Sequence, residues 1–181
     1  NYTFSSDEAG SITYVGDCSS DNKTSVDGNN EITYNTLSGG TYSKCNIKVK
    51  DSANNASNVL SVSSFIIDTT APSLSEVTAV PTPDNDSTPN YTFSSDEAGS
   101  ITYVGDCTST ANTSASASNN PITFNQLADG TYSNRIINVT DAYGNISNNL
   151  EVSEFTIGAT TPALKEITAV QIGRASCRGR V

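Results

Sequence analysis

The run NYTFSSDEAGSITYVGDC fills positions 1–18 and returns without a change at 90–107. An identical run of this length, one domain's length away, is what duplication of a folding unit leaves behind, so the chain is two copies of one unit before any residue is read for chemistry. Later segments extend the match: FIIDTTAP (65–72) answers FTIGATTP (155–162), and SEVTAV (75–80) answers KEITAV (165–170). The second copy holds one residue more. Its simplest place is where VDGN (26–29) faces ASASN, which predicts an insertion-tolerant loop there. A unit of roughly 90 residues is long enough to enclose its own core, unlike the shorter repeats of solenoids.

The expected organisation is a first copy over 1–70 lacking its opening strand, a complete second copy over 71–161, the start of a third over 162–171, and a tail over 172–181. From Ile172 onward the tail resembles the translation of a sequencing adapter, so it and its Cys177 are set aside from fold reasoning. The segment ALKEITAV (163–170) is expected to pack poorly, as the first strand of a unit whose remainder is missing.

Within each copy, YTFS, SITYVG, EITYN and CNIKVK alternate large or β-branched residues with polar ones, and clusters of Ser, Asn, Asp, Gly and Pro separate them. No segment carries the apolar spacing of a three-turn helix. The fold class expected is all-β, with short strands forming a two-sheet sandwich.

Charge narrows the partners. With 9 basic against 19 acidic residues and a net charge of -10, the chain is repelled by phosphate backbones and anionic membranes, so nucleic acid is not an expected partner. No apolar run is long enough to span a bilayer. Histidine is absent, which removes the usual base of serine and cysteine hydrolases. The carboxylate pairs Asp7 with Glu8 and Asp96 with Glu97 fall in SSDEAG turns, where adjacent side chains should point apart into water. No enzyme activity and no catalytic residue are expected.

Two turns, LSGGTY (37–42) and LADGTY (127–132), share the form L-x-x-G-x-Y, and the second copy carries VTDAYGNISN beside its DGTYS. With the junction signature FIIDTTAP, these motifs make nearly all of residues 1–171 resemble the tandem immunoglobulin-like repeats of large bacterial secreted or cell-surface, adhesin-like proteins. The resemblance implies tandem immunoglobulin-like Greek-key β-sandwiches, the first truncated at its N-terminus. It also implies an extracellular or cell-surface location, neighbouring repeats as partners, and a spacer role that projects a distal domain. A different class of function is an adhesive module whose inter-strand loops bind surface carbohydrate or protein. Leu37, Gly40 and Tyr42, with Leu127, Gly130 and Tyr132, are then tyrosine corners, in which the hydroxyl bonds back to the chain before strand F. A β-bulge between Ser43 and Cys45 would reconcile the parity of Tyr42 with that of the strand that follows.

In such a sandwich Cys18 would end strand C and Cys45 would lie in the adjacent strand F, so the pair is a candidate disulfide, the alternative being two unpaired small hydrophobes. Aligning TYSKCNIKV with TYSNRIINV puts Arg135 where Cys45 stands. Cys107 is therefore expected to be a free, reagent-accessible thiol, Arg135 to reach toward solvent, and the second copy to be the less stable. Asp68 at the junction, with Asp84 and Asp86 in PDNDSTP, are candidate calcium ligands that would stiffen the joint, the alternative being solvated turn residues. No other cofactor is expected.

Overall fold

The computed structural model describes residues 1–165 and residue 167. Seventeen strands and no helix form among them. The first copy contains β1 (Tyr2–Ser6), β2 (Gly10–Gly16), β3 (Thr24–Ser25), β4 (Gly28–Ile32), β5 (Gly40–Tyr42), β6 (Cys45–Lys50), β7 (Leu60–Ser61) and β8 (Phe65–Ile67). Then come β9 (Leu74–Thr78), β10 (Asn90–Ser95), β11 (Gly99–Val104), β12 (Ser114–Ala115), β13 (Asn119–Thr123), β14 (Gly130–Tyr132), β15 (Arg135–Thr140), β16 (Leu150–Val152) and β17 (Phe155–Ile157).

All strand pairs are antiparallel, and the two copies pair alike. In the first, β1 lies on β4, β3-β2-β6-β7 form one sheet, and β5 lies on β8. In the second, β12-β11-β15-β16 and β14-β17 repeat this, while β10 holds β13 on one edge and β9 on the other. The first copy has no counterpart of β9 among the described residues.

Alternation produces the inward faces. In β1 Phe4 turns inward, in β2 Ile12, in β4 Asn30 and Ile32, and in β6 Cys45 and Ile47, while their neighbours face solvent or the sheet margin. Two separate hydrophobic clusters result. One is built on Phe4, Ile12, Ile32, Ile47 and Val62, and the other on Phe93, Ile101, Ile122, Ile137, Val139 and Phe155.

The extra residue of the second copy does not lie where VDGN faces ASASN. Val26 N–H donates to Asn30 Oδ1 at 2.8 Å, and Ser116 N–H donates to Asn120 Oδ1 at the same distance and spacing, so that loop is equally long in both copies. The insertion falls earlier. Tyr14 donates to the Asn22 carbonyl and Tyr103 to that of Asn112, and both asparagines bond the serine before them, so Asp21 faces Thr110 and Ala111. Loop letters rich in Ser, Asn and Ala align equally well in several ways, whereas the tyrosine bonds permit one.

Downstream of each corner the ladder breaks on both strands at once. Ser43 and Lys44 separate β5 from β6 while residues 62–64 separate β7 from β8, and in the second copy Asn134 takes φ 57° at the break. The parity change expected of a bulge is thus a paired interruption of two strands. Beyond β17, Leu164 and Ile167 are fully or almost fully exposed. Residues 168–181, including Cys177, lie outside the described residues.

Candidate functional site

Each L-x-x-G-x-Y turn closes on itself. The Tyr42 hydroxyl donates to the Ser38 carbonyl and that of Tyr132 to the Ala128 carbonyl, both at 2.9 Å. Gly40 and Gly130 start the strand that brings the ring back, and Leu127 is buried while Leu37 is half-buried. Each ring then joins an aromatic row. Tyr42 stacks on Phe65, Phe65 on Tyr34 and Tyr34 on Tyr2, and the second copy repeats this with Tyr132, Phe155, Phe124 and Tyr91. These tyrosines are structural members of the row, with the hydroxyl closing the turn and the ring filling the interior.

Cys18 and Cys45 are bonded, with Cα atoms 5.1 Å apart. Gly16 makes the approach: it pairs with Cys45 across the sheet at φ +99°, and a Cβ there would sit 1.6 Å from the Lys44 carbonyl oxygen. The bridge fits an oxidising compartment.

In the second copy Arg135 takes the cysteine's place. Its guanidinium bonds the exposed Asp106 carboxylate at 2.8 Å and lies 5.8 Å from the Tyr132 ring centroid, with its stem over Gly105. The side chain is only 19% exposed and its Nε is buried without a partner, so Arg135 lies along the sheet rather than reaching into solvent. Cys107 is unpaired but buried at 2% exposure. Burial pushes its thiol above the ordinary value, against the opposing effect of the nearby Arg135 charge. A buried, protonated thiol is not the reagent-accessible group expected from sequence.

The calcium candidates are not brought together. Asp84 and Asp86 belong to a turn in which Asp84 accepts from Asp86 N–H, Asp86 accepts from Thr88, and the Asp84 backbone bridges to Ile157. Asp68 instead meets Glu97 and Asp141, with one ligand oxygen of each within 4.8 Å of the others. The separation has a plain cause. Strand β9 starts beside the 96–97 turn, where Ser73 N–H donates to Asp96 Oδ1 at 2.6 Å, and carries the chain away before Asp84 is reached.

Glu97 therefore does not point away into water as a turn pair alone implies. Burial raises its carboxyl above the usual range, with Asp68, Asp141 and Asp96 adding repulsion. Asp141 is also desolvated, yet donors from Asn145 outweigh this and hold it below the usual value. In the first copy Asp51 is lowered chiefly by the Asn55 side chain, the same turn without a neighbour. Three carboxylates at this spacing describe a mutually repelling cluster where acidic turns meet. Sequence reading misses Glu97 and Asp141 because their convergence with Asp68 depends on the path of the linker.

Polar ties bind the linker to the second copy. Asn145 Nδ2 donates to the Asp68 carbonyl at 3.3 Å, and the Asn148 amide accepts from Leu74 N–H at 2.7 Å and donates to its carbonyl at 3.2 Å. Ser153 donates through N–H and hydroxyl to Glu76. No protein-family model matches the chain, and no curated protein matches it. Among the described residues no helix is long and apolar enough to cross a membrane.

Proposed function

We propose that this chain is a pair of tandem immunoglobulin-like Greek-key sandwiches, over 1–70 and 71–161, that serves as a spacer in a large bacterial extracellular or cell-surface protein. The observation that carries the reading is the pairing of two separate cores with a linker tied down within a few residues of leaving the first. Units that each close their own core and share a short, hydrogen-bonded connection transmit position along a chain without any chemistry. The acidic surface suits a long exposed array, and the Cys18–Cys45 bridge suits an oxidising location.

Small-angle scattering of the chain tests the spacer. A single compact body of this length has a radius of gyration of about 16 Å, so a clearly larger value with a two-lobed distance distribution is expected. A profile fitting one compact body would overturn the reading. One observation favours the adhesive alternative, an aromatic-lined groove in the first copy of about 560 Å³. The second copy fills the corresponding place with its own chain, so the groove is not a property of the repeated unit.

A further inference from the structure

In both copies the chain leaving the last strand passes the tyrosine-corner turn, and only one of the two turns holds it. In the second copy Asp129 Oδ1 accepts from Ala159 N–H at 2.8 Å, while Oδ2 accepts from Thr160 N–H at 3.2 Å and from the Thr160 hydroxyl. The carboxylate and Ala159 stand 30 positions apart in the chain, so these bonds fasten the exit to the sandwich itself. Hydrogen bonds to an ionised acceptor are the strong ones. The Thr160 side chain first, and the Ala159 amide next, hold the Asp129 carboxyl below its ordinary value.

Gly39 stands at the place of Asp129 in the first copy. A Cβ there would lie 3.1 Å from Thr69 Oγ1 and 3.9 Å from the Thr69 nitrogen, and Thr69 answers Ala159, so the approach is the same and the carboxylate is missing. It has moved into the linker. Asp68 stands where the second copy has Gly158, and its Oδ1 accepts at 2.9 Å from the N–H of Thr70, which answers Thr160. Each exit thus offers one carboxylate to the same threonine amide, but the two bonds do different things. Asp68 closes a turn two residues long, which shapes the linker without attaching it. Among the described residues no side-chain hydrogen bond joins 69–72 to the body of the first copy. What holds this linker comes from the other side: Asn145 on the Asp68 carbonyl, Asp96 on Ser73 N–H and Asn148 on Leu74.

We infer that the corner residue is the latch of each exit: Asp129 fastens the departing chain to the second sandwich, whereas Gly39 leaves the first exit unlatched and makes it the hinge of the joint between the copies. The hinge lies just beyond Ile67, the last residue of β8, and the linker moves with the second copy, whose asparagines and Asp96 grip it. Hinges are a few residues at the end of an element that absorb the change in backbone angles, and they fall where few bonds cross. One residue in the same turn therefore decides whether a repeat passes its orientation to the chain that leaves it. The inference rests on hydrogen bonds at the two exits and not on what an array would project, so its failure leaves the spacer reading standing.

The test is nuclear magnetic resonance of the backbone amides in the full 181-residue chain, reading hydrogen exchange and nitrogen-15 relaxation at the two exits. The Thr69 amide should exchange roughly tenfold faster than that of Ala159, and Asp68 should be less ordered than Gly158. Asp129→Ala should speed exchange at Ala159 and Thr160 by roughly tenfold and lower their order, while Ile137 and Val139 in the core keep their rates and show that the fold is intact. In the unaltered chain the proton shifts of the Ala159 and Thr160 amides should follow the titration of the Asp129 carboxyl, a signature that a general loss of stability does not give. Gly39→Asp is the converse change. It should slow exchange at Thr69 and raise the order of Asp68. Exit amides indifferent to Asp129→Ala, equal protection of Thr69 and Ala159 in the unaltered chain, or a Gly39→Asp chain in which Thr69 exchanges as before overturns the proposal.

Discussion

Tyr2 and Tyr91 stand second in identical eighteen-residue runs, yet Tyr91 is 1% exposed and Tyr2 only half-buried; Phe93 and Phe4 differ likewise, at 0% and 7%. Burial here is not a property of the segment that carries the side chain. It depends on what covers that segment: β9 lies on β10, and among the described residues no strand lies on the matching edge of β1. Among the described residues the second core holds sixteen buried hydrophobic side chains and the first seven, with eight more only partly buried against it. The first copy has the disulfide instead. Closing a 27-residue separation stabilises by about 3.5 kcal/mol in the chain-entropy treatment. Six of those eight have fully buried counterparts in the second copy, Tyr14 and Tyr42 answering the likewise partly buried Tyr103 and Tyr132; moving six from partial to full burial is worth roughly half of the 1.5–3 kcal/mol of each, which together exceeds the bridge. Among the described residues burial thus favours the second copy and the bridge the first, and the expectation that the second is the weaker is decided by measuring the two transitions.

The sharpest way to break this comparison is to exchange the bridge. Reduction, or Cys45→Ser, should destabilise the first copy by about 3.5 kcal/mol and leave the second untouched, so a denaturant titration should separate further into two transitions. Arg135→Cys should do the converse. It places a cysteine opposite Gly105, as Cys45 stands opposite Gly16, and removes a buried guanidinium nitrogen that has no partner. Bridging to Cys107, it should raise the second transition by about 2–4 kcal/mol under oxidising conditions only. A single transition that moves with reductant would show that the copies do not unfold separately. Thiol labelling sharpens the same point: Cys107 should react only as the second transition proceeds.

A smaller effect tests what the copies share. Tyr42→Phe and Tyr132→Phe each delete one hydroxyl bond to a backbone carbonyl and keep the stacked ring, so each should cost its own copy about 1 kcal/mol. Equal losses would mean that the turn acts alone. A larger loss in the first copy would mean that β9 and its neighbours brace the second corner.

The all-β class is legible in the sequence because period-two alternation is local, and YTFS or CNIKVK needs no partner to announce its inward face. The cysteine pair is legible through the resemblance, which sets the strand before Cys18 beside the one that carries Cys45; β2 does pair with β6, and Cys18 lies two residues past the end of β2. Properties set by distant chain are not. Arg135 is expected to turn outward on polarity alone, but a glycine at 105 leaves a channel in which the stem lies flat. Asp84 and Asp86 stand near Asp68 in sequence and apart in space, because β9 intervenes. Glu97 and Asp141 reach Asp68 only once the linker has been bound by Asn145, Asn148 and Asp96.

That acidic cluster supplies the smallest and most discriminating expectation, because the first copy has the same turn residues, Glu8 and Asp51, and among the described residues only the second copy's pair is joined by a third carboxylate into such a group. Glu97 has a folded-state value raised by burial and then by Asp68, Asp141 and Asp96. A carboxyl raised on folding contributes stability that is fully present below its ordinary range and is lost as pH climbs through the raised value, so at neutral pH Glu97 opposes the folded junction. Glu97→Gln should therefore raise the melting temperature of the second copy slightly at neutral pH. The difference should vanish as the solution is acidified below the ordinary carboxylate range, and shrink in high salt as repulsion between exposed charges is screened. Glu8→Gln, the matching change in the first copy, should do neither. Asp141 has the opposite sign: its value is lowered, so Asp141→Asn should cost stability at neutral pH, and that cost should fade on acidification through the lowered value. Identical pH profiles for Glu97→Gln and Glu8→Gln would mean that the carboxylates do not sense one another, and that the junction differs from a free turn only in its hydrogen bonds.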